Sequence, residues 1–145
     1  MAIRLTIAAP PATWPDWYPP LDVHRPEQYT MRAAYFRLVL QVLEVIGTIE
    51  SDGDFTGAPD LCGAIARDLR VLVTAGDLDE ELFEWLRGAW NEFQDEMRRS
   101  VEAKGEIVLG GLEPFDYTQR SLRNDLLHFG AFNAIAADHG GYQIG

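Results

Sequence analysis

The sequence is poor in the residue types that most often build covalent and metal-bound sites. Among its 145 residues there is one cysteine, Cys62, which excludes an internal disulfide and a cysteine-rich zinc site. The three histidines, His24, His128 and His139, are dispersed along the chain. No serine lies in the Gly-x-Ser-x-Gly context of a hydrolase nucleophile. The sequence therefore predicts no catalytic residue, no cofactor and no metal ion.

Long apolar runs and positive charge are also scarce. No apolar run approaches the roughly 18 residues that a membrane span needs, and residues 1–10 lack the apolar segment of a secretory signal. The chain has 12 basic and 23 acidic residues, and its net charge of −11 excludes a generally basic nucleic-acid binder. We therefore expect a cytoplasmic single domain spanning residues 1–145, which contacts neither nucleic acid nor a membrane directly.

The N-terminal part of the chain combines a short strand with a proline-rich strap. Apolar and polar residues alternate from Ile3 to Ala8, a pattern that predicts a strand with one solvated face. Six of the eight prolines lie in residues 10–26, which therefore form neither a helix nor a central strand. Because disordered linkers seldom carry large rings, we expect Trp14, Trp17 and Tyr18 to pack onto the helical core.

Apolar residues then recur at helical spacing in four segments. The predicted helices cover residues 27–50, 59–75, 78–104 and 116–138, which together form a helical core over 27–138. The first helix is apolar on nearly every side, so we expect it to lie at the centre of the domain. Asp77 is predicted to cap the third helix, and Asp116 the fourth.

Short apolar segments outside the helices predict a small sheet. Residues 106–109, which lie between Gly105 and a pair of glycines, are typical of a strand and are expected to pair with residues 3–8. The tail at 139–145 contains Tyr142-Gln143-Ile144, which could add a third strand. The predicted fold class is α+β and predominantly α-helical, with a four-helix core and a minor two- or three-stranded sheet.

Two other features of the sequence are candidates for chemistry. Asp125 and His128 lie one turn apart on the fourth predicted helix, a spacing that suits two metal ligands or a carboxylate-oriented base. The same spacing suits an ordinary hydrogen bond on a helix surface, which we favour. Cys62 lies in a segment that is mainly apolar and is expected to be a small buried residue rather than a nucleophile.

The first predicted helix carries a narrow polar stripe formed by Arg37, Gln41 and Glu44. These residues could form a buried polar site, with Glu44 as acid or base and Arg37 binding an anion. They could equally be the exposed edge of the helix, which avoids the desolvation cost of buried charges. An alternative function is therefore a small enzyme or ligand-binding domain with its site around Arg37, Glu44 and the N-terminal aromatic strap.

The negative charge is concentrated in one third of the chain. Residues 50–96 contain thirteen acidic residues and three arginines, a net charge of −10, whereas the other residues together carry −1. Within the third predicted helix, Glu81, Glu84, Glu92 and Asp95 lie within about 80° of one another, opposite the apolar face. At 1.5 Å per residue this stripe extends over about 21 Å.

We call this surface the acidic face, and its predicted partner-binding residues are Glu81, Glu84, Trp85, Glu92, Asp95 and Glu96. Acidic residues in the first turn of a helix stabilise its dipole, but Glu92, Asp95 and Glu96 lie too far along the helix for that explanation. The acidic face is therefore either a plain solvated surface or a docking surface for a basic partner.

The sequence thus favours a non-enzymatic interaction protein. We expect a small acidic inhibitor or accessory factor that binds a basic protein surface by competing with nucleic acid for the partner's Arg and Lys residues. In charge and size the chain resembles the small acidic inhibitors made by phages and mobile elements, a resemblance of general character that rests on no motif. A second alternative is a homo-oligomeric structural component held by exposed rings of Trp14, Trp17 or Trp85.

Overall fold

The computed structural model describes residues 2–20, 24–50, 55–75, 78–105 and 114–145. In chain order the elements are β1 (Ala2–Ile7), β2 (Gln28–Arg32), α1 (Ala33–Val45), α2 (Pro59–Thr74), α3 (Glu80–Ala103), α4 (Gln119–Ala137) and β3 (Tyr142–Ile144). The helices and the three-stranded antiparallel sheet confirm the predicted α+β, mainly helical fold. In the described part of the chain, no helix is both long enough and apolar enough to cross a membrane.

β1 is the central strand of the sheet, with β2 on one side and β3 on the other. Leu5 and Ile7 point into the core while Arg4 is exposed, which confirms a strand with one solvated face. The third strand is confirmed at residues 142–144. The predicted pairing of β1 with residues 106–109 is replaced by pairing with β2 and β3, and residues 106–109 lie outside the described residues.

β2 and α1 occupy the segment for which a single helix over 27–50 is predicted. Tyr29 and Met31 are buried and alternate with exposed Thr30 and Arg32, which is the period of a strand. Helical spacing begins only after this alternation, so α1 starts at Ala33. The helix prediction is wrong at residues 28–32 because two apolar residues in so short a segment fit either period.

Polar side chains cap α3 and α4 close to, but not at, the predicted residues. The Asp79 carboxylate accepts a hydrogen bond from the Leu82 N–H at 2.9 Å, so Asp79 is the cap of α3, and Asp77 lies outside the described residues.

Thr118 rather than Asp116 caps α4. The Thr118 hydroxyl accepts a hydrogen bond from the Ser121 N–H at 3.1 Å, and Ser121 Oγ accepts one from the Thr118 N–H at 2.9 Å. This reciprocal pair satisfies two N–H groups that a helix start leaves without partners, and it leaves Asp116 outside the helix.

The core lies between the helices and the inner face of the sheet. α2 and α4 form the most extensive helix pair, and α1 contacts β1, β2 and α3. Tyr29 of β2 packs against Phe129 and Phe132 of α4, and Phe132 also packs against Tyr142 of β3. These ring contacts fasten the sheet to α4.

α3 contacts the core along only part of its length. Its buried residues are Phe83, Leu86, Trp90 and Gln94, whereas residues 95–100 are all exposed. The predicted apolar face of this helix, formed by Leu82, Leu86, Ala89, Trp90, Phe93, Met97 and Val101, is buried at Leu86 and Trp90. Met97 on the same face is 43% exposed, because this part of α3 extends beyond the residues that cover the helix.

The proline-rich strap is only partly buried. Tyr18 is buried, donates a hydrogen bond to the Pro26 carbonyl at 3.0 Å and stacks on half-buried Trp14. Trp17 is 61% exposed, which contradicts the prediction that all three rings pack inside. The Tyr18 N–H closes a turn onto the Pro15 carbonyl at 3.1 Å, and this turn directs Tyr18 inward while Trp17 remains outside.

Candidate functional site

The six residues of the acidic face are all exposed on α3. At 100° per residue they lie on the side of the helix opposite Phe83, Leu86 and Trp90, which are buried. The packing of α3 against the core therefore leaves the whole acidic face in solvent. The structure brings these residues together on one continuous helical surface.

Three of the five carboxylates on the acidic face have no ion-pair partner in the described part of the chain. Glu84 pairs with Arg87 at 3.3 Å and Asp95 pairs with Arg98 at 2.7 Å, both within α3. Glu81, Glu92 and Glu96 make no ion pair within 4.0 Å with any described residue. Since such exposed pairs contribute only about 0.2–1 kcal/mol each, even the paired carboxylates remain available to a partner.

Trp85 gives the acidic face an apolar component. Its side chain is 51% exposed, whereas the other tryptophan of α3, Trp90, is buried. Gly88, one turn beyond Glu84, has no atom within 4 Å of the position that a Cβ would occupy. The acidic face therefore presents a large exposed ring and, at Gly88, a patch of helix surface without a side chain next to its carboxylates. Exposed aromatic rings are enriched in protein interfaces.

Arg37 and Glu44 are both exposed on α1. The Arg37 guanidinium lies 3.9 Å from the centroid of the Phe93 ring, so it makes a cation–π contact that joins α1 to α3. This places the polar stripe at an exposed edge of α1, and neither residue lines the pocket described next.

A second candidate site is a cavity of about 440 Å³ beside β2, which we call the β2 pocket. Its ionisable lining residues are three tyrosines, two carboxylates and one arginine: Tyr29, Tyr35, Tyr117, Asp116, Asp125 and Arg32. These residues come from β2, from α1, from the segment before α4 and from α4 itself. The pocket thus exists only where these elements meet.

Asp125 lies among the three phenols of the β2 pocket and is half-buried. Burial raises the pKa of its carboxyl, an effect that His128 and Arg32 oppose. Burial also raises the pKa of Tyr29, Tyr35 and Tyr117, and the Asp125 carboxylate adds to each increase. Asp125 itself makes no hydrogen bond and no ion pair within 4.0 Å to any described residue.

Tyr35 places a buried hydroxyl at the β2 pocket. The side chain is 4% exposed, and within the described part of the chain its hydroxyl oxygen makes no well-formed hydrogen bond, although the Tyr29 hydroxyl is close enough to affect its pKa. The ring packs against Tyr117 with centroids 5.8 Å apart. The contact with Tyr29 uses the Tyr35 hydroxyl as the donor, so the Tyr35 oxygen still lacks a donor of its own among the described residues, and a buried acceptor left in this way costs about 1–3 kcal/mol.

Arg32 has its charge compensated within the pocket wall. Its guanidinium donates a hydrogen bond to the Tyr117 hydroxyl at 3.0 Å and lies 4.0 Å from the Asp116 carboxylate. The same group lies 5.9 Å from the centroid of the Tyr117 ring. Arg32 and Asp116 therefore form a pair, and Asp125 is the carboxylate that remains.

Sequence reasoning singled out Asp125 and His128 but missed the β2 pocket. The Nδ1 atom of His128 is buried without a hydrogen-bond partner in the described residues, and His128 does not line the pocket. The residues that do surround Asp125 are separated from it by up to 96 positions, so no spacing within one helix reveals them. The one local signal that pointed toward the site was the spacing of Asp125 and His128, although the hydrogen bond that it predicts between them is absent from the described residues.

Neither the cysteine nor a metal cluster adds a further site in the described residues. Cys62 is fully buried and burial raises the pKa of its thiol to about 11, which makes it unreactive and confirms the predicted small buried residue. No group of three or more His, Cys, Asp or Glu side chains in this part of the chain is placed to hold a metal ion. The chain matches no protein-family model, no curated protein and no solved structure.

Proposed function

We propose that this protein is a non-enzymatic inhibitor or accessory factor that binds a basic protein surface through the acidic face. One observation supports the proposal most directly. The six residues share the solvated side of α3, and three of their carboxylates have no ion-pair partner among the described residues. Charge of one sign, collected on one exposed helix beside an exposed tryptophan, suits a partner that supplies the opposite sign.

The spacing of the carboxylates matches a surface rich in Arg and Lys. Residues three or four apart on a helix lie about 5–6 Å from each other, so neighbouring cations can each meet one carboxylate. The negative potential of the chain speeds encounter with such a surface. Because Arg and Lys also hold phosphates in nucleic-acid-binding proteins, occupying them would displace the nucleic acid of a partner of that kind.

The position of the charges along α3 favours docking over a purely structural role. Glu80 and Glu81 lie in the first turn, where they stabilise the helix dipole. Glu92 and Glu96 lie three or more turns further on, where this effect has vanished, and as an i,i+4 pair of like charges they cost about 0.2–0.5 kcal/mol. A cationic partner surface that covered this pair would offset the repulsion between the two carboxylates.

Self-association through the acidic face is disfavoured by the same charges. Trp85 and Trp17 are both exposed, which is the condition for the homo-oligomeric alternative. Two copies that met at Trp85 would bring their acidic faces together and would repel each other. A homo-oligomer is therefore better held by Trp17, which is exposed and is not part of α3.

The proposal is tested by reversing three charges on α3. The variant E84K/E92K/D95K and a control variant, D16K/E44K/D138K, have the same net charge, and the six positions are all exposed. Proteins captured by the wild type from a lysate of the source organism are identified and purified, and their association rates are then measured. We expect the α3 variant to lose binding and the control to retain it.

The salt dependence of the association rate provides a second readout. The wild-type rate is expected to fall steeply between about 0.05 M and 0.5 M salt, since the Debye length shrinks over this range. The proposal fails if the two variants bind an identified partner equally well, or if the rate of the α3 variant and its salt dependence equal those of the wild type.

A further inference from the structure

We infer that the β2 pocket is a binding site for a small organic cation of the primary ammonium class, with Asp125 as its counter-ion and the Tyr35 hydroxyl as a hydrogen-bond acceptor. This site is separate from the acidic face, so the test of this inference does not depend on the proposed function.

The charge balance of the pocket selects a cation. Two carboxylates and one guanidinium line it, and the guanidinium of Arg32 is already shared between Asp116 and the Tyr117 hydroxyl. Asp125 is left as a half-buried negative charge without an ion-pair partner in the described residues. An anion would be repelled by this carboxylate, and a neutral ligand would bury it further without compensation.

The hydrogen-bonding groups select an ammonium with N–H donors. A primary ammonium has three N–H groups. The Asp125 carboxylate accepts one or two of them, and the Tyr35 oxygen, which has no well-formed hydrogen bond in the described residues, accepts another. A quaternary ammonium of the same charge has no donors and would leave the Tyr35 hydroxyl as it is.

The rings of the pocket suit the same ligand. Tyr35 and Tyr117 pack against each other with centroids 5.8 Å apart, and together with Tyr29 they give the pocket aromatic walls. Ring faces attract cations, and they also cover the apolar chain that an alkylammonium carries. A metal ion is a poor alternative, because none of the pocket's carboxylates belongs to a cluster of three or more metal-binding side chains in the described residues.

The inference is tested by nuclear magnetic resonance titration with n-butylammonium chloride, which replaces sodium chloride so that the ionic strength is constant. We expect saturable shifts of the Tyr29, Tyr35 and Tyr117 ring signals and of the Asp125 amide. n-Butanol and sodium butyrate are the neutral and anionic controls, and tetramethylammonium chloride is the control without donors. n-Butanol and sodium butyrate are expected to give no saturable shifts at the pocket, and tetramethylammonium is expected to bind at least tenfold more weakly than n-butylammonium.

Four variants distinguish the pocket from diffuse attraction to an acidic protein. Asp125→Asn is expected to weaken n-butylammonium binding more than tenfold, and Tyr35→Phe about tenfold, since hydrogen bonds to charged groups are the stronger ones. Asp138→Asn removes one exposed charge elsewhere and should leave binding unchanged. The E84K/E92K/D95K variant should also bind normally, which separates this site from the acidic face.

Several results would overturn the inference. One is the absence of a saturable shift with the wild type, and another is binding of tetramethylammonium as strong as that of n-butylammonium. Equal losses in Asp125→Asn and Asp138→Asn would show diffuse attraction only. Should Asp125→Asn fail to fold, Tyr35→Phe decides the question, because it removes one hydroxyl and no charge.

Discussion

Two buried tyrosines in this fold have hydroxyls in opposite situations. Tyr142 donates a hydrogen bond to the Asn133 side chain at 2.9 Å, and Asn133 in turn donates to the Phe129 carbonyl at 2.8 Å. All three side chains are buried, so this chain of hydrogen bonds satisfies polar groups that have no access to water. The Tyr35 hydroxyl is equally buried, but within the described residues it makes no comparable hydrogen bond.

Removal of the Tyr142 hydroxyl should therefore destabilise the fold, whereas removal of the Tyr35 hydroxyl should not. Tyr142→Phe leaves the Asn133 oxygen buried without its donor and is expected to lower the free energy of unfolding by about 1–3 kcal/mol. Tyr35→Phe removes a desolvated hydroxyl and is expected to leave this free energy unchanged or to raise it by up to about 1 kcal/mol. Urea denaturation of both variants measures the difference. Equal destabilisation by both substitutions would contradict it.

At the scale of elements, glycines mark the places where backbone segments approach most closely. A Cβ on Gly57 would overlap the carbonyl oxygen of Tyr142, and a Cβ on Gly141 would overlap that of Gly57. Gly141 also has a φ of +75°, which other residues rarely adopt. The Tyr142 N–H donates to the Gly57 carbonyl at 2.9 Å, so this contact ties the segment before α2 to the start of β3.

Substitution of these glycines and of Gly88 should give opposite results. Gly141→Ala and Gly57→Ala are each expected to destabilise the fold by more than about 2 kcal/mol, because a backbone contact must open. Gly88→Ala is expected to stabilise it by roughly 0.5–1 kcal/mol, because Gly88 lies in an open, exposed part of α3. Thermal melts of the three variants test this, and a stabilising Gly141→Ala would refute the close approach.

The element scale also shows what the sequence can predict. The helices and β3 follow from periodicity and stop signals, because each pattern lies within one element. β2 was missed since its five residues carry too short a pattern, and the cap of α4 depends on a reciprocal Thr118–Ser121 pair that competes with Asp116. For the same reason the acidic face, which lies within one helix, was predictable, whereas the β2 pocket needs contacts that only the folded chain creates.

At the scale of the whole molecule, net charge opposes compactness. The chain carries −11, and most of this charge lies in residues 50–96. Carboxylates held close together on α3 repel each other in the folded state more than in an extended chain, so screening by salt should favour the fold.

This repulsion predicts a stability that increases with salt. Raising sodium chloride from about 0.02 M to 0.5 M is expected to add about 1 kcal/mol, which corresponds to a rise in Tm of roughly 3 °C for a chain of this size. The E84K/E92K/D95K variant should gain clearly less, since it lacks much of the repulsion on α3. Calorimetry at several salt concentrations measures both values, and an equal gain in the two proteins would rule out α3 as the source.

The order of strands in the sheet determines when the fold can be completed during synthesis. The amide and carbonyl of Arg4 exchange hydrogen bonds of 2.9 and 2.8 Å with those of Gly145, and β1 pairs with β3 over the preceding residues. A ribosome adds about 5–20 residues per second. β1 is therefore synthesised roughly 7–27 s before its partner strand β3. During that interval one side of β1 lacks the hydrogen-bond partners that β3 later supplies, and it can pair with another chain instead.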